Sequence, residues 1–402
     1  MAEPKIKFRQ NDGSNYPDWE TIPMSEVFTE ISEKNHPELP VLSVQQGVGT
    51  ILRDSSDRNI LYDKKNLNGY KAMKKDDFII HLRSFEGGLE CSNYDGISSP
   101  AYRILRPNRI LSGAYRDYFR SDDFIRNKLA VSVVGIRDGK NIDMDTFWQI
   151  SITVPCIEEQ QKIADFLGDV DALIKTSEQE LLKLKELKKG CLQKMFPRGD
   201  ADVPEVRFPG FTGAWERRIL GEFVTFSKGS GYSKGDLKDD GTPIILYGRL
   251  YTKYETVISE VDTFAEVKKG SVFSKGGDVI VPASGETEED ISVASVVEKS
   301  GILLGSDLNV ITPPDDLDSA FLAISISNGK PHKDMAKMAQ GKSVVHLHNS
   351  DLAKIDLPYP SLEEQIRIRS FFSEIDNLIA LHQRECEKYK ELKKGLLQQM
   401  FV

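Results

Sequence analysis

Gly341-Lys342-Ser343 is the string in this chain that looks most like a nucleotide-phosphate loop, and it fails at a basic requirement. A loop that wraps phosphates in backbone N–H groups needs a second glycine five residues earlier, and that position is Ala336. His346 and His348 are spaced so that both imidazoles could leave one side of a strand as metal ligands, but no third ligand lies nearby, so a polar loop is the better reading. Thr312-Pro313-Pro314-Asp315 lacks the leading amide and the closing aromatic of an amino-methyltransferase tetrad. No glycine-rich cofactor fingerprint follows a strand, and no carboxylate pair with a nearby lysine marks a nuclease. The chain therefore reads as a recogniser without catalysis, metal or cofactor of its own.

The elements that would position such a recogniser are written twice. Residues 155–196 and 360–401 align without a gap at an offset of 205 residues and match at 21 of 42 positions, among them Pro155/Pro360, Glu158/Glu363, Gln160/Gln365, Asp171/Asp376, Gly190/Gly395 and Phe196/Phe401. A repeat of this length, half a chain apart, marks a tandem duplication of one unit. The duplication reaches further. Pro4-Lys5-Ile6-Lys7-Phe8 and Pro204-Glu205-Val206-Arg207-Phe208 open the two halves, Trp19-Glu20 and Trp215-Glu216 follow, and Phe147, Ile150 and Ile152 match Leu352, Ile355 and Leu357. Between these anchors the halves diverge almost completely.

Each repeat predicts one long helix. Steps of four and three give Ile163, Leu167, Val170, Ile174, Ser177, Leu181, Leu184, Lys188, Cys191 and Met195 in the first copy, a 3.5-residue period that marks a coiled-coil seam. The second copy gives Ile368, Phe372, Ile375, Ile379, His382, Cys386, Tyr389, Lys393, Leu396 and Met400, turning polar at Lys393 and His382 where the first does at Lys188 and Ser177. Ser361 and Glu364 are spaced as a capping box after Pro360, and Pro197 ends the first helix. A helix from Glu159 to Phe196 would be a rod roughly 57 Å long at the usual rise per residue. The first helix leaves domain one and ends at domain two, and the second begins at domain two. If they pair, they pair antiparallel.

Composition agrees with two globular domains, since 402 residues exceed what one core usually supports. The fold class expected is mixed α/β: two globular domains joined by an antiparallel coiled coil of the repeated helices, with a pseudo-two-fold internal duplication. The boundaries are 1–154 for domain one, 155–196 for the first helix, 197–203 for a linker, 204–359 for domain two and 360–402 for the second helix. Strands are expected at 41–44, 77–82, 243–247 and 278–282, and helices at Ala114–Lys128 and Leu317–Ser327. Cys91, Cys156, Cys191 and Cys386 show no C-x-x-C spacing and read as reduced thiols of a cytoplasmic protein, with neither a signal peptide nor a membrane span. The net charge of −9 argues mildly against a generic nucleic-acid binder, although residues 204–359 hold −6 of it, much of that in Glu286–Asp290 and Asp315–Asp318.

The P-x-x-E-E-Q helix starts, the K-E-L-K-K-G-x-L-Q-x-M-F helix ends, the duplication and the P-x-[IV]-[KR]-F leaders together resemble the DNA-specificity subunit of type I restriction-modification systems. The resemblance covers the whole chain. It implies two target-recognition domains, each reading one half of a bipartite asymmetric site in double-stranded DNA, with the helices setting the gap and docking two adenine-N6 methyltransferase subunits. It places S-adenosylmethionine on those partners, and ATP and Mg on a restriction and translocation subunit. A fixed spacer suits the task, because a duplex turns once in about 34–36 Å and a small error rotates one half-site out of reach. The candidate DNA contacts are Arg53, Arg83, Ser84, Arg103 and Arg137 in domain one, and Tyr247, Arg249, Tyr251, Lys253, Tyr254, Lys342, Ser343, His346 and Asn349 in domain two. The alternative is a non-catalytic scaffold whose two domains hold proteins rather than DNA.

Overall fold

A computed structural model describes residues 4–55, 64–136, 139–339 and 344–401. The chain forms two compact units, Met1–Gln179 with Gln383–Val402, and Glu180–His382. Each repeat is one long helix apart from its first two residues and its last one or two: the first long helix is Ile157–Lys194 and the second Leu362–Met400. The unit boundaries fall inside these helices rather than at their starts. The reason is that each helix end is core: Met195 and Phe196 are buried in unit two, Met400 and Phe401 in unit one.

Unit one is built on a four-stranded antiparallel sheet in the order Phe28–Ile31, Arg103–Pro107, Phe78–Ile80, Glu90–Cys91. Phe78, Ile79 and Ile80 form an uninterrupted apolar run because their strand is buried on both faces. A hairpin, Leu42–Gln45 with Gly49–Leu52, accompanies it. The helix expected over Ala114–Lys128 is broken into a turn of α-helix at Ser112–Tyr115, a 3-10 turn at Tyr118–Arg120 and a π turn at Phe124–Lys128. Tyr115, Tyr118, Phe119 and Phe124 are all buried. On one straight helix Phe124 would lie about 180° around from Tyr115, at roughly 100° per residue. The chain resolves the conflict at Ser121, whose backbone is extended and whose hydroxyl accepts the Phe124 N–H at 3.2 Å.

Unit two holds a five-stranded sheet in the order Thr225–Lys228, Leu308–Thr312, Asp278–Pro282, Ser295–Val297, Val257–Ile258, and a four-stranded sheet in the order Phe264–Ala265, Thr242–Ile245, Ser300–Leu304, Phe273–Lys275. The strands expected at 41–44, 77–82, 243–247 and 278–282 are all present with small shifts of boundary. The second expected helix is Ser319–Ile326, started by Asp318, whose carboxylate accepts the N–H groups of Ala320 and Phe321. A further helix, Gly329–Met338, follows it.

The shared scaffold is visible in each unit. Glu20–Pro23 pairs with Ser151–Val154 in one and Glu216–Ile219 with Asp356–Tyr359 in the other. Met24 N–H donates to Ile150 and Leu220 N–H to Ile355, both at 2.8 Å. The leaders dock on helix ends: Lys5 and Ile6 amides donate to the Gln399 carbonyl, the Val206 amide to the Lys194 carbonyl. Phe8 packs edge-on against Phe166 and Phe208 against Phe371, while Trp19 meets Phe401 and Trp215 meets Phe196.

The Glu-Gln pair that opens each helix is a clamp. Gln160 accepts the Leu111 N–H at 2.7 Å and donates to Pro155 and Arg109 carbonyls, and Gln365 accepts the Asp318 N–H at 2.8 Å and donates to Pro360. Glu159 accepts from the Trp19 indole at 3.0 Å and the Phe8 amide. Its carboxyl is pushed up by burial, which those two hydrogen bonds oppose. Glu364, expected to reach back and cap its helix, instead takes both arms of Arg207 at 2.7 Å. A buried carboxylate needs that charge more than a free amide needs a cap.

Candidate nucleic-acid interface

In unit two, Tyr251 and His346 meet at one short strand pair. Ser284–Gly285 pairs with Val345–His346, and His346 Nδ1 lies 3.3 Å from Ser284 Oγ. The Tyr251 hydroxyl donates to the Ser284 carbonyl from the other side, and burial pushes its phenol well above the usual range. Gly285 is required by this convergence, since a Cβ there would lie 2.4 Å from Ile291 Cγ2 and 3.2 Å from the Tyr251 hydroxyl. Asn349 donates to the Ser227 carbonyl at 2.9 Å. Tyr254 keeps an exposed ring while its hydroxyl is tethered to the Ala294 carbonyl at 3.3 Å.

Arg249 is not placed for DNA. Its side chain is 8% exposed, with Glu255 and Asp262 each at 2.7 Å and the Glu260 carbonyl at 2.9 Å, so it cross-links a loop. Tyr247 and Lys253 remain exposed on either side of it, Lys253 reaching Asp262 at 3.3 Å. These residues line a cleft of about 890 Å³ whose opposite wall carries Tyr232, Lys234 and Ser306. Lys234 is exposed, and among the described residues no ion pair reaches it. Sequence reasoning missed it, although the surrounding Gly229-Ser230-Gly231-Tyr232-Ser233-Lys234-Gly235 is a glycine-rich loop of the kind that approaches a ligand closely. Lys342 and Ser343 lie outside the described residues.

In unit one, Arg53 lies near Tyr102 and Arg103 pairs with Glu30. Arg53 Nε donates to Ser43 Oγ at 3.0 Å and lowers the phenol that burial raises at Tyr102. Arg103 takes both oxygens of Glu30 at 3.0 and 3.1 Å. Lys71, which the sequence did not single out, donates to the Tyr102 carbonyl at 2.7 Å. Burial holds its ammonium below the usual lysine range, Glu30 opposes that, and Arg103 and Lys34 add to it. Arg83 is exposed in the turn after Ile80, the strand residue paired with Arg103.

Ser84 is corrected. It is fully buried and its hydroxyl accepts the His81 N–H at 2.8 Å, so it shapes that turn and presents nothing to a base edge. Arg137 lies outside the described residues. Among the described residues, no group of three or more His, Cys, Asp or Glu could hold a metal ion. No helix among them is long and apolar enough to cross a membrane.

Known proteins share this architecture. The profile of the type I restriction modification DNA specificity domain matches residues 124–186 and 213–391. The type I restriction enzyme MjaVIII specificity subunit of Methanocaldococcus jannaschii is 24% identical, with 97% of this chain and 94% of that protein covered. The putative MjaX specificity subunit of the same organism is 22% identical over 83% of this chain and 79% of its own length. Among solved structures, the type I restriction-modification S subunit from M. genitalium matches with a TM-score of 0.59 at 13% identity, covering all of this chain and 99% of that one. A chain from a structure of type I system assembly and conformational transition matches with a TM-score of 0.56 at 19% identity, covering 96% and 97%.

Proposed function

This chain belongs to the type I restriction-modification DNA specificity family, and on that premise we propose that it is the DNA-reading subunit of such a complex, with two domains that each read one half of a bipartite, asymmetric duplex target. The observation that carries the reading is a duplicated scaffold, clamped by Glu159-Gln160 and Glu364-Gln365, around two unlike interiors. One reader used twice would need one interior. Two different half-sites need two.

The long helices act as the spacer, paired as an antiparallel coiled coil. Support comes from burial: Ile163, Leu167, Val170 and Met195 are buried, as are Ile368, Phe372, Ile375 and Met400, and Ile174, Leu181, Leu184, Ile379, Tyr389 and Leu396 are half-buried, while their neighbours at other steps are largely exposed. Within unit one, Asp171 near the start of the first helix meets Lys393 near the end of the second. Functional domains of 1–154 and 204–359 with helices of 155–196 and 360–402 follow from that reading. Two methyltransferase subunits dock on the helices and bring S-adenosylmethionine, and a restriction subunit brings ATP and Mg, all in the cytoplasm. The chain itself performs no catalysis.

Base and phosphate contacts fall to Arg53, Arg83, Arg103 and Lys71 in one domain, and to Tyr247, Lys253, Lys234, His346 and Asn349 in the other. Mapping adenine methylation across the genome of cells carrying this chain and its methyltransferase partner tests the reading: a two-part motif with an unspecified gap is expected, and a short continuous motif contradicts it.

A further inference from the structure

We propose that the hairpin tip at residues 45–49 of unit one is a base-reading ribbon, with Gln45 recognising the edge of an adenine and the buried Glu90 holding the tip in position. This rests on the function proposed above and names one base that unit one reads and the residue that reads it.

In the strand Leu42–Gln45, Leu42 and Val44 pack into a core cluster, so the alternation of a strand sends Ser43 and Gln45 to the opposite face. A cation already marks that face, because Ser43 Oγ accepts from Arg53 Nε. Gln45 is exposed, and its cross-strand partner is Gly49, which has no side chain to cover it. Among the described residues, no hydrogen bond holds the Gln45 side-chain amide. The tip turns on Gly47, whose φ of +78° suits glycine, and the Val48 amide closes the turn on the Gln45 carbonyl at 3.1 Å. Gln46 lies over Gly87, where a Cβ would come within 2.5 Å of its amide nitrogen, and Gly87 ends the short helix Ser84–Gly87 that follows the exposed Arg83. Arg53 at the base of the hairpin and the turn that carries Arg83 thus both adjoin it.

Residues 45–48 are all exposed and add nothing to the core, yet they are held from beneath by buried charge. Glu90 is fully buried; its carboxylate accepts the Gly47 N–H at 2.7 Å and meets the Arg120 guanidinium at 2.6 Å. Asn93 donates to the Val48 and Thr50 carbonyls at 3.0 Å each, and Thr50 Oγ1 accepts the Asn93 amide at 2.9 Å. A two-stranded hairpin alone is marginal in water, and a desolvated ion pair adds little stability over an apolar core. The device therefore fixes the shape of a surface tip, as a preorganised binding element requires. What the tip presents is neutral. A phosphate offers only acceptors, whereas a glutamine amide sets a donor beside an acceptor, the pattern that matches N7 and N6 of adenine in a major groove wide enough for a two-stranded ribbon. Val48, exposed on the same tip, offers an apolar surface that suits a thymine methyl and not a phosphate.

The test uses the full chain assembled with its methyltransferase subunit: the methylated motif is mapped, then probed with duplexes that carry single base-pair changes. Gln45→Ala should remove the preference for adenine at one position in one half of the motif, by roughly tenfold or more in relative affinity, and leave the other half as it was. Gln45→Arg should turn the preference at that position toward guanine, which a merely structural role does not produce. Glu90→Gln, which keeps the bulk and loses the charge, should blur the same position while circular dichroism shows the fold retained. If that variant fails to fold, the two Gln45 variants, confined to the surface, decide the matter. Undiminished discrimination in Gln45→Ala, a uniform loss of affinity across all sequences, or relaxation at a pair other than A·T overturns the proposal. A folded, fully discriminating Glu90→Gln variant overturns the positioning role. An unmodified complex with no bipartite motif overturns the function proposed above instead.

Discussion

Lys188 Nζ of the first long helix lies 2.5 Å from Asp376 Oδ1 of the second, and Lys393 Nζ lies 2.6 Å from Asp171 Oδ1, the same pair with the helices exchanged. Each pair is tied to a globular domain. Asp376 accepts from Thr256 at 3.2 Å, and Asp171 accepts from Arg116 at 2.7 Å. The polar steps at Lys188 and Lys393, which with Ser177 and His382 interrupt the apolar seam, thus join the helices to each other and to the domains they carry. A charged seam residue is an effective register device because a shifted alignment leaves its charge unanswered.

A double-mutant cycle on Lys188→Met and Asp376→Asn, read by chemical denaturation, should give a coupling energy of about 1 kcal/mol, because both partners are partly exposed and screened. Coupling near zero would mean that the pair is incidental. Lys188→Leu with Lys393→Leu should keep the helices and blur the spacing between the methylated half-sites.

The Arg207–Glu364 clamp is more costly to break. Glu364 is 1% exposed, so Arg207→Leu leaves a buried carboxylate unanswered and should cost roughly 3–5 kcal/mol, measured as a fall in the denaturation midpoint. Adding Glu364→Leu removes the stranded charge and should recover much of the loss. A double variant no better than the single one would show that the clamp matters for packing alone.

Acid sensitivity should carry a contribution from Asp356. The Arg217 guanidinium holds its carboxyl below the usual range, burial opposes this and Lys330 adds to it. A carboxyl whose pKa falls on folding stabilises above the unfolded value, about 3.9, and that contribution is lost as pH drops through the folded value. Asp356→Asn should therefore lower stability at neutral pH and flatten the stability profile below about pH 4. An unchanged acid limb would remove Asp356 from the account.

Lys234, Lys253 and Arg249 line one cleft and should behave differently. Lys234→Ala and Lys253→Ala should each weaken duplex binding by the assembled complex and reduce the salt slope by about one, as a lost phosphate contact does. Arg249→Ala should instead destabilise unit two by roughly 1–3 kcal/mol through its lost loop cross-link. Equal salt slopes in all three variants would mean that the cleft does not face DNA.

The scaffold was legible because duplication printed it twice. Helix limits, seam, leaders and the matched trio Phe147, Ile150 and Ile152 could be read by comparing the halves, with no knowledge of contacts. The function of Glu159 and Glu364 was not legible, since their partners, Trp19 and Arg207, lie about 140 and 157 residues away in sequence. The readout surface was hardest to read. Composition marks Arg249 and Lys253 alike, and the three-dimensional placement of Glu255 and Asp262 separates a buried cross-link from an exposed cation. Ser84 failed as a candidate for the same reason, its hydroxyl being consumed by the turn that exposes Arg83. The break at Ser121 could have been foreseen from the position of Phe124, half a helical turn away from the other aromatics.

The central claim is that two independent readers sit on one duplicated frame. Exchanging residues 20–146 for the corresponding segment of another family member, and mapping adenine methylation in cells that carry the chimera with the methyltransferase subunit, tests it most directly. The account predicts that one half of the bipartite motif changes while the other half and the gap stay as they were; a change in both halves, or in neither, would contradict it.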